Sequence, residues 1–220
     1  MKILVTGNQG YIGSVLTDIL KSKNFEVVGY DIGYFNECNL EIINENFKQI
    51  NKDIRDISIN DLNNTDIVIH LSGLSNDPLG EFDKNLTNEI NYQATMKLAK
   101  LSKSAGVKRF IYASSQSMYG VSDITNELDE YISEKNPVTE YAKTKWQAEI
   151  ELNKLSNNKF SVVSLRPSTV FGMSPRLRCD IVFNNLLASA YTSGNIEIKS
   201  DGSPWRPVIH VRDVCSAIIA

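Results

Sequence analysis

Apolar residues are spread along this chain in two alternating rhythms. Short runs rich in β-branched and aromatic residues recur at "KILVTG", "EVVGYD", "FKQINKDI", "DIVIHLSG", "RFIYASS" and "FSVVSLRP", the length and composition of strands. Between most of them the period changes to that of a helix. "GYIGSVLTDILKSKN" puts Ile12, Val15, Leu16, Ile19 and Leu20 on one face, and "NEINYQATMKLAKLSKSAG" does the same with Ile90, Ala94, Leu98 and Leu101 before Gly106 stops it. Strand and helix in alternation predict an α/β fold, a doubly wound parallel sheet with helices on both faces. After Pro167 the rhythm loosens into Pro, Arg and Gly punctuation. That predicts loops over the sheet's carboxyl edge, where such folds bind ligands.

With 220 residues, 42% of them hydrophobic and 22% charged, the chain can bury one good core. Its 23 Lys and Arg against 26 Asp and Glu give a formal charge of -3 with no basic run, which argues against nucleic acid as a partner. The opening "MKILVTG" runs from strand into glycine loop without the apolar region and cleavage pattern of a signal peptide. Every apolar run is strand-sized, too short to cross a membrane. The expectation is a cytoplasmic protein. Cys38, Cys179 and Cys215 form no CxxC pair, and His70 and His210 lie inside the apolar runs "IVIHL" and "VIHV". This is not ligand spacing, so the reading is reduced cysteines, core or strand-edge histidines and no metal.

The first motif with chemistry is "TGNQGYIG", which carries Gly7, Gly10 and Gly13 between a strand and a helix. A dinucleotide-binding turn needs glycines because the turn is tight, the backbone approaches a pyrophosphate and the helix sits close on the strand. The helix N-terminus then offers free N–H groups to the phosphates. A glycine turn with no ligand would show the same three residues. Asp31 weighs for the ligand: it ends "VVGYD", roughly twenty residues on, where an acid accepts ribose hydroxyls and repels a 2'-phosphate. NAD is favoured over NADP. Asp53, at the end of the third strand, can reach an adenine or simply cap a helix.

The second motif is "YAKTK", with Tyr141 and Lys145 on one face of a helix that follows Pro137. A tyrosine titrates near about 10 and is a poor base at neutral pH, but a nearby ammonium favours its phenolate. Such a pair can take a proton from a hydroxyl while hydride leaves the same carbon; Tyr and Lys on a solvated helix face would look alike. In "SSQSMYG", Ser114 and Ser115 end the preceding strand, so Ser115 either hydrogen-bonds a substrate oxygen at the sheet edge or caps a turn.

Taken in order, these segments resemble the extended short-chain dehydrogenases/reductases, and within them the NAD-dependent epimerase/dehydratases of nucleotide sugars, over almost the whole chain. TGxxGxxG, Asp31, "DIRD" at 53–56, "HLSG" at 70–73, SSxSxYG, YxxxK and "PWRPVIHVRDV" all fall in family order. The resemblance implies a Rossmann-type NAD domain over residues 1–167 and a small substrate-binding lobe from 168 to 220. Relatives continue for roughly a hundred residues more, so the lobe is expected to be incomplete. The resemblance implies that Tyr141 is the general base, Lys145 its electrostatic partner and Ser115 the hydrogen-bonding helper. It places Tyr11, Ile12, Asp31, Ile32, Asp53, Ile54, Leu71, Ser72, Gly73, Asn91 and Ser168 at the NAD, with Tyr141 and Lys145. Thr169, Asn185 and Arg206, with Ser115, fall at the nucleotide-diphosphate sugar, and a guanidinium at 206 suits phosphate. A homodimer paired through the helices flanking the site is the family expectation.

The departures narrow the chemistry. Family members that eliminate water carry an Asp-Glu pair after the Ser or Thr, and the decarboxylating branch carries Glu at the position of Ser117; this chain has Gln116 and Ser117. Neither acts as a general acid or base near neutral pH. What remains is oxidation and reduction at one carbon, as in a 4-epimerase or a 4-dehydrogenase or ketoreductase; a non-catalytic NAD-sensing protein is the third reading. Thr169 stands where an asparagine is common. "SNDP" at 75–78 and "SPRLR" at 174–178 carry no assigned role, and Arg176 and Arg178 suit either phosphate or solvent.

Overall fold

The computed structural model describes residues 1–40, 47–75, 77–121, 127–198, 200, 201, 205 and 207–220. The six runs expected as strands form one parallel sheet: β1 (Lys2–Thr6), β2 (Glu26–Asp31), β3 (Lys48–Asn51), β4 (Ile67–His70), β5 (Arg109–Ala113) and β6 (Ser161–Leu165), in spatial order β3-β2-β1-β4-β5-β6. The order reverses between β1 and β4. That switch point opens a crevice at the carboxyl ends of the strands.

Alternation along each strand feeds two cores. From β1, Ile3 and Val5 join Leu16 and Leu20 of α1 (Tyr11–Ser22), whereas Leu4 faces the opposite way. On that second side it shares a cluster with Leu98 of α4 (Ala94–Ser104) and Leu152 of α5 (Glu140–Leu155); all three leucines are fully buried. Burying each such side chain contributes about 1.5–3 kcal/mol. Thr139 caps α5, its hydroxyl accepting the Ala142 N–H at 3.2 Å, and so fixes where the helix bearing Tyr141 begins.

Two regions differ from the sequence reading. The helix expected from residue 88 is preceded by α2 (Asp77–Phe82) and α3 (Lys84–Asn88), and between α3 and α4 it widens into a π turn, Glu89–Gln93, where Ala94 N–H bonds back to Glu89 O. The inserted residue is a backbone event that apolar periodicity does not register. After Pro167, where loops were expected, the chain forms β7 (Thr169–Phe171), α6 (Val182–Ser193), β8 (Val208–His210) and α7 (Val211–Ile219), with β7 and β8 paired in parallel. α7 packs on α1 and adds Val214, Cys215 and Ile218 to the core shared with β1. Residues 211–219, assigned from sequence to the lobe, therefore pack with the sheet. Among the described residues no helix is long and apolar enough to cross a membrane, and no cluster of His, Cys, Asp and Glu suits a metal.

Candidate active site

The β1–α1 turn is built by close backbone approach. Gly7 has φ +73°, and a Cβ on it would lie 2.7 Å from the Ser72 nitrogen; one on Gly13 would lie 2.0 Å from the Gly7 oxygen. These two glycines weld the turn to the β4 loop and to its own helix. A Cβ on Gly10 would press on Gly7 O at 3.2 Å, closer than a side chain ordinarily comes to a carbonyl. α1 begins at Tyr11 with no acid in its first turn, which leaves the N–H groups around Ile12 and Gly13 and the helix dipole available to an anion.

Asp31 closes β2 and accepts from Gly33 N at 2.9 Å and Gln9 N at 3.2 Å. Burial raises its pKa, and these backbone N–H groups offset only part of that rise; they fix the carboxyl beside the glycine turn. Ile32 follows it, 38% exposed. Asp53 behaves as a cap: its carboxylate takes Arg55 N at 2.8 Å and the Arg55 guanidinium at 2.7 Å, and the hydrogen bonds from Arg55 lower its pKa. Ile54 beside it is buried.

Beyond β4, Leu71, Ser72 and Gly73 form the facing loop, and buried Asn91 in the π turn clasps it: Leu74 N donates to Asn91 Oδ1 at 2.8 Å and Asn91 Nδ2 donates to Leu74 O at 3.0 Å. Lys145 reaches the same place from α5. It is 4% exposed, donates to Ala113 O at 2.8 Å, and sits 4.8 Å from the Tyr112 ring centre and 5.9 Å from that of Tyr141. Burial lowers its pKa to about 8. Ser115, two residues past Ala113, donates to Ser117 Oγ at 3.0 Å and accepts Ser117 N at 3.1 Å. The strand-end serine, the one-turn Tyr–Lys pair and the glycine loop all belong to the carboxyl edge.

On the lobe side, Ser168 and Thr169 are half-buried, and Thr169 opens β7 with its N–H on Pro207 O at 3.2 Å. Asn185 is exposed and donates to Cys179 O at 2.9 Å. Arg206 lies outside the described residues, as does Asn76 of "SNDP". The neighbour of Asn185, Asn184, is the buried one: it donates to Tyr11 Oη at 3.2 Å and to Arg178 O at 3.0 Å, while Tyr11 Oη donates to Gly172 O at 2.7 Å. The Tyr11 phenol thus fastens the lobe segment to the glycine turn. Sequence reading missed Asn184 because adjacent asparagines look alike until one is known to face inward.

The two unassigned signatures meet. Arg178 donates to Ser75 Oγ at 3.1 Å and pairs with Asp180, and Arg176 lies 4.4 Å from the centre of the Phe35 ring. Leu40 N donates to Pro175 O at 2.8 Å, and Ser174 Oγ donates to Tyr11 O at 2.7 Å. Residues 172–178 therefore bridge the loops after β1, β2 and β4.

The model of the NAD dependent epimerase/dehydratase family matches residues 3–220. The chain belongs to that family. It is an enzyme of the extended short-chain dehydrogenase/reductase type, and NAD is the cofactor of the family. Among its relatives, the UDP-glucose 4-epimerase of Mycolicibacterium smegmatis (strain ATCC 700084 / mc(2)155) is 27% identical over 231 residues, covering 100% of this chain and 72% of the relative. The dTDP-D-glucose 4,6-dehydratase of Mus musculus is 28% identical over 229 residues, 99% of this chain and 63% of the relative. Among solved structures, MoeE5 in complex with UDP-glucose and NAD superposes with a TM-score of 0.85 at 29% identity, covering 100% of this chain and 71% of that one. The residues of this chain fit NAD: the turn of Gly7, Gly10 and Gly13 carries no side chain and leads into a helix start with no acid in its first turn, which suits a pyrophosphate, and Asp31 stands where a carboxyl suits ribose hydroxyls and opposes a 2'-phosphate.

Proposed function

We propose that this enzyme is a nucleotide-sugar 4-epimerase that uses NAD. The observation that carries the reading lies just after Ser115, where Gln116 and Ser117 stand and the Ser117 hydroxyl accepts the hydrogen of Ser115. Elimination of water needs an acid to protonate the departing hydroxyl and a base to remove a second proton, and this stretch supplies neither. The chemistry left needs one proton and one hydride at the same carbon.

In this reading Tyr141 takes the proton of the sugar's C4 hydroxyl and returns it after the carbon has been reduced from its other face. Lys145, held at Ala113 O, supplies the positive charge that favours the phenolate. Ser115 turns its hydrogen from Ser117 to the C4 oxygen, where negative charge develops. NAD, when bound, accepts the hydride and gives it back. The keto sugar has only to rotate between the two halves. Support for keeping the cofactor in place comes from residues 172–178, tied to Tyr11, Leu40 and Ser75 on three loops of the crevice. The partner in this reading is a nucleotide-diphosphate sugar in the cytoplasm, handled by a homodimer.

The test is direct. The protein is mixed with NAD and a panel of UDP-, GDP-, CDP- and dTDP-sugars, nicotinamide absorbance is followed, and the sugars are separated. Conversion of one sugar to its 4-epimer without accumulating NADH is the expected result. Accumulation of NADH in step with a keto sugar would make the enzyme a 4-dehydrogenase instead.

A further inference from the structure

Behind the crevice lies a set of polar groups that the chemistry above does not use. Thr6, His70 and Tyr112 stand side by side across β1, β4 and β5, in register and fully buried. His70 stacks on Tyr112 with ring centres 5.8 Å apart, and Lys145 lies over the far part of the same row, 4.8 Å from the Tyr112 centre. The imidazole also joins two hydroxyls: Nδ1 is 2.7 Å from Thr6 Oγ1, and Nε2 is 2.8 Å from Thr95 Oγ1. Within this set the imidazole and the two threonine hydroxyls are all paired, which is what makes their burial tolerable, whereas the Tyr112 hydroxyl has no hydrogen-bond partner among the described residues.

The hydrogens can be placed by elimination. The Asn91 carbonyl can only accept, so Thr95, 2.8 Å away, gives it its single hydrogen. Thr95 Oγ1 must then accept from His70, which puts the ring hydrogen on Nε2. Burial keeps the ring neutral, lowering its pKa to about 3 with a further push from the Lys145 charge. Nδ1 is therefore bare and accepts from Thr6, whose oxygen in turn faces Ser72 N at 3.4 Å. Every hydrogen points one way: Ser72 to Thr6 to His70 to Thr95 to Asn91. The Asn91 side chain completes the ring by clasping both backbone groups of Leu74. Gly73 sits inside this circuit, where an added Cβ would lie 2.9 Å from Asn91 Oδ1 and 3.7 Å from Lys145 Nζ.

We infer that His70 is a positioning residue for the hydride-transfer end of the site: through its Nε2–H tautomer it locks the 72–74 loop to the π turn, and so fixes the wall against which Lys145 and the nicotinamide half of NAD are held. The inference rests on the reading that Lys145 and Asn91 face the cofactor. It does not depend on which sugar reacts.

The isosteric change Thr95→Val breaks the circuit without changing its shape, and Thr95→Ser keeps it. Calorimetric titration of NAD in the absence of sugar should show affinity at least about tenfold weaker for Thr95→Val, with Thr95→Ser close to wild type. With a converted sugar, kcat should fall while KM for the sugar holds. Thr6→Val interrupts the other end of the chain and should produce the same loss, which keeps the test open if one variant does not fold. Nitrogen NMR of the wild type should show a bare Nδ1 and a protonated Nε2 on His70, unchanged between pH 5 and 9. A ring protonated on Nδ1, a ring that titrates near the ordinary histidine range, or a folded Thr95→Val with wild-type NAD affinity would each overturn the inference. Weakened NAD binding in these variants alongside a wild type that converts no sugar would sink the epimerase reading and leave this one standing.

Discussion

Lys145 Nζ lies 4.8 Å from the centre of the Tyr112 ring and 2.8 Å from the Ala113 carbonyl, 96% out of solvent by its own 4% exposure. One carbonyl and two ring faces, Tyr112 and Tyr141, are a thin substitute for water around an ammonium, which is why burial takes its pKa from 10.5 to about 8. The group is held in a state that a hydroxyl-rich ligand would relieve. Fold stability has been traded here for a poised charge.

Lys145→Met therefore separates the two. Between pH 8 and 10.5 the unfolded lysine keeps a proton that the folded one has lost, so wild-type stability rises with pH through that window. Below pH 8 both states are charged and the full penalty, about 3 kcal/mol, is present. Lys145→Met should be inactive, at least as stable as wild type at pH 7, and without that rise; urea unfolding at several pH values reads it. A variant clearly less stable than wild type at pH 7 would contradict the account.

Tyr141→Phe should lower kcat by about 10²–10⁴-fold while NAD and sugar still bind, as calorimetry would report. Unchanged turnover would remove Tyr141 from the role of base, and unchanged biological activity in a variant that no longer turns over would revive a role for the protein outside catalysis.

Asp31→Asn removes the anion that Gln9 N and Gly33 N hold at the end of β2. NAD affinity should drop about 10–100-fold, and the preference over NADP should shrink, read by titrating both dinucleotides.

Glu149, 2% exposed, pairs with the Arg166 guanidinium at 2.5 Å, and Arg166 also holds Tyr119 Oη and Glu130 O, each at 2.7 Å. Hydrogen bonding to Glu149 raises the arginine pKa. Glu149→Ala leaves that charge partly buried without its partner and should destabilise the fold by about 3–5 kcal/mol, measured by denaturant unfolding.

Arg178→Ala removes the tie between the 172–178 segment and Ser75. NAD should dissociate several-fold faster in stopped-flow fluorescence, and part of the turnover should end as free NADH and keto sugar.

The sheet was legible because each strand is a short apolar run bounded by charge or glycine, as in "DIVIHLSG", and the cofactor turn because three glycines and a strand-end acid have few other uses together. The π turn was not legible: Ile90, Ala94, Leu98 and Leu101 keep a helical spacing that tolerates one extra residue in the backbone. His70 read correctly as a core histidine, but its hydrogen-bond partners, Thr6 and Thr95, come from different strands and helices, and no local pattern joins them. Arg176 and Arg178 were ambiguous for the same reason, since Phe35 and Ser75 are far away along the chain.

α7 also has a consequence for the order of assembly. Val214, Cys215 and Ile218 fill the face of α1, and Cys215 Sγ approaches Ile12 O at 4.0 Å across 203 residues of chain. α1, made long before α7, cannot finish packing until α7 has emerged, and contacts of such long sequence separation close slowly. The dinucleotide turn, which this helix carries at its tip, is then a late product of folding even though it is encoded about 200 residues before α7.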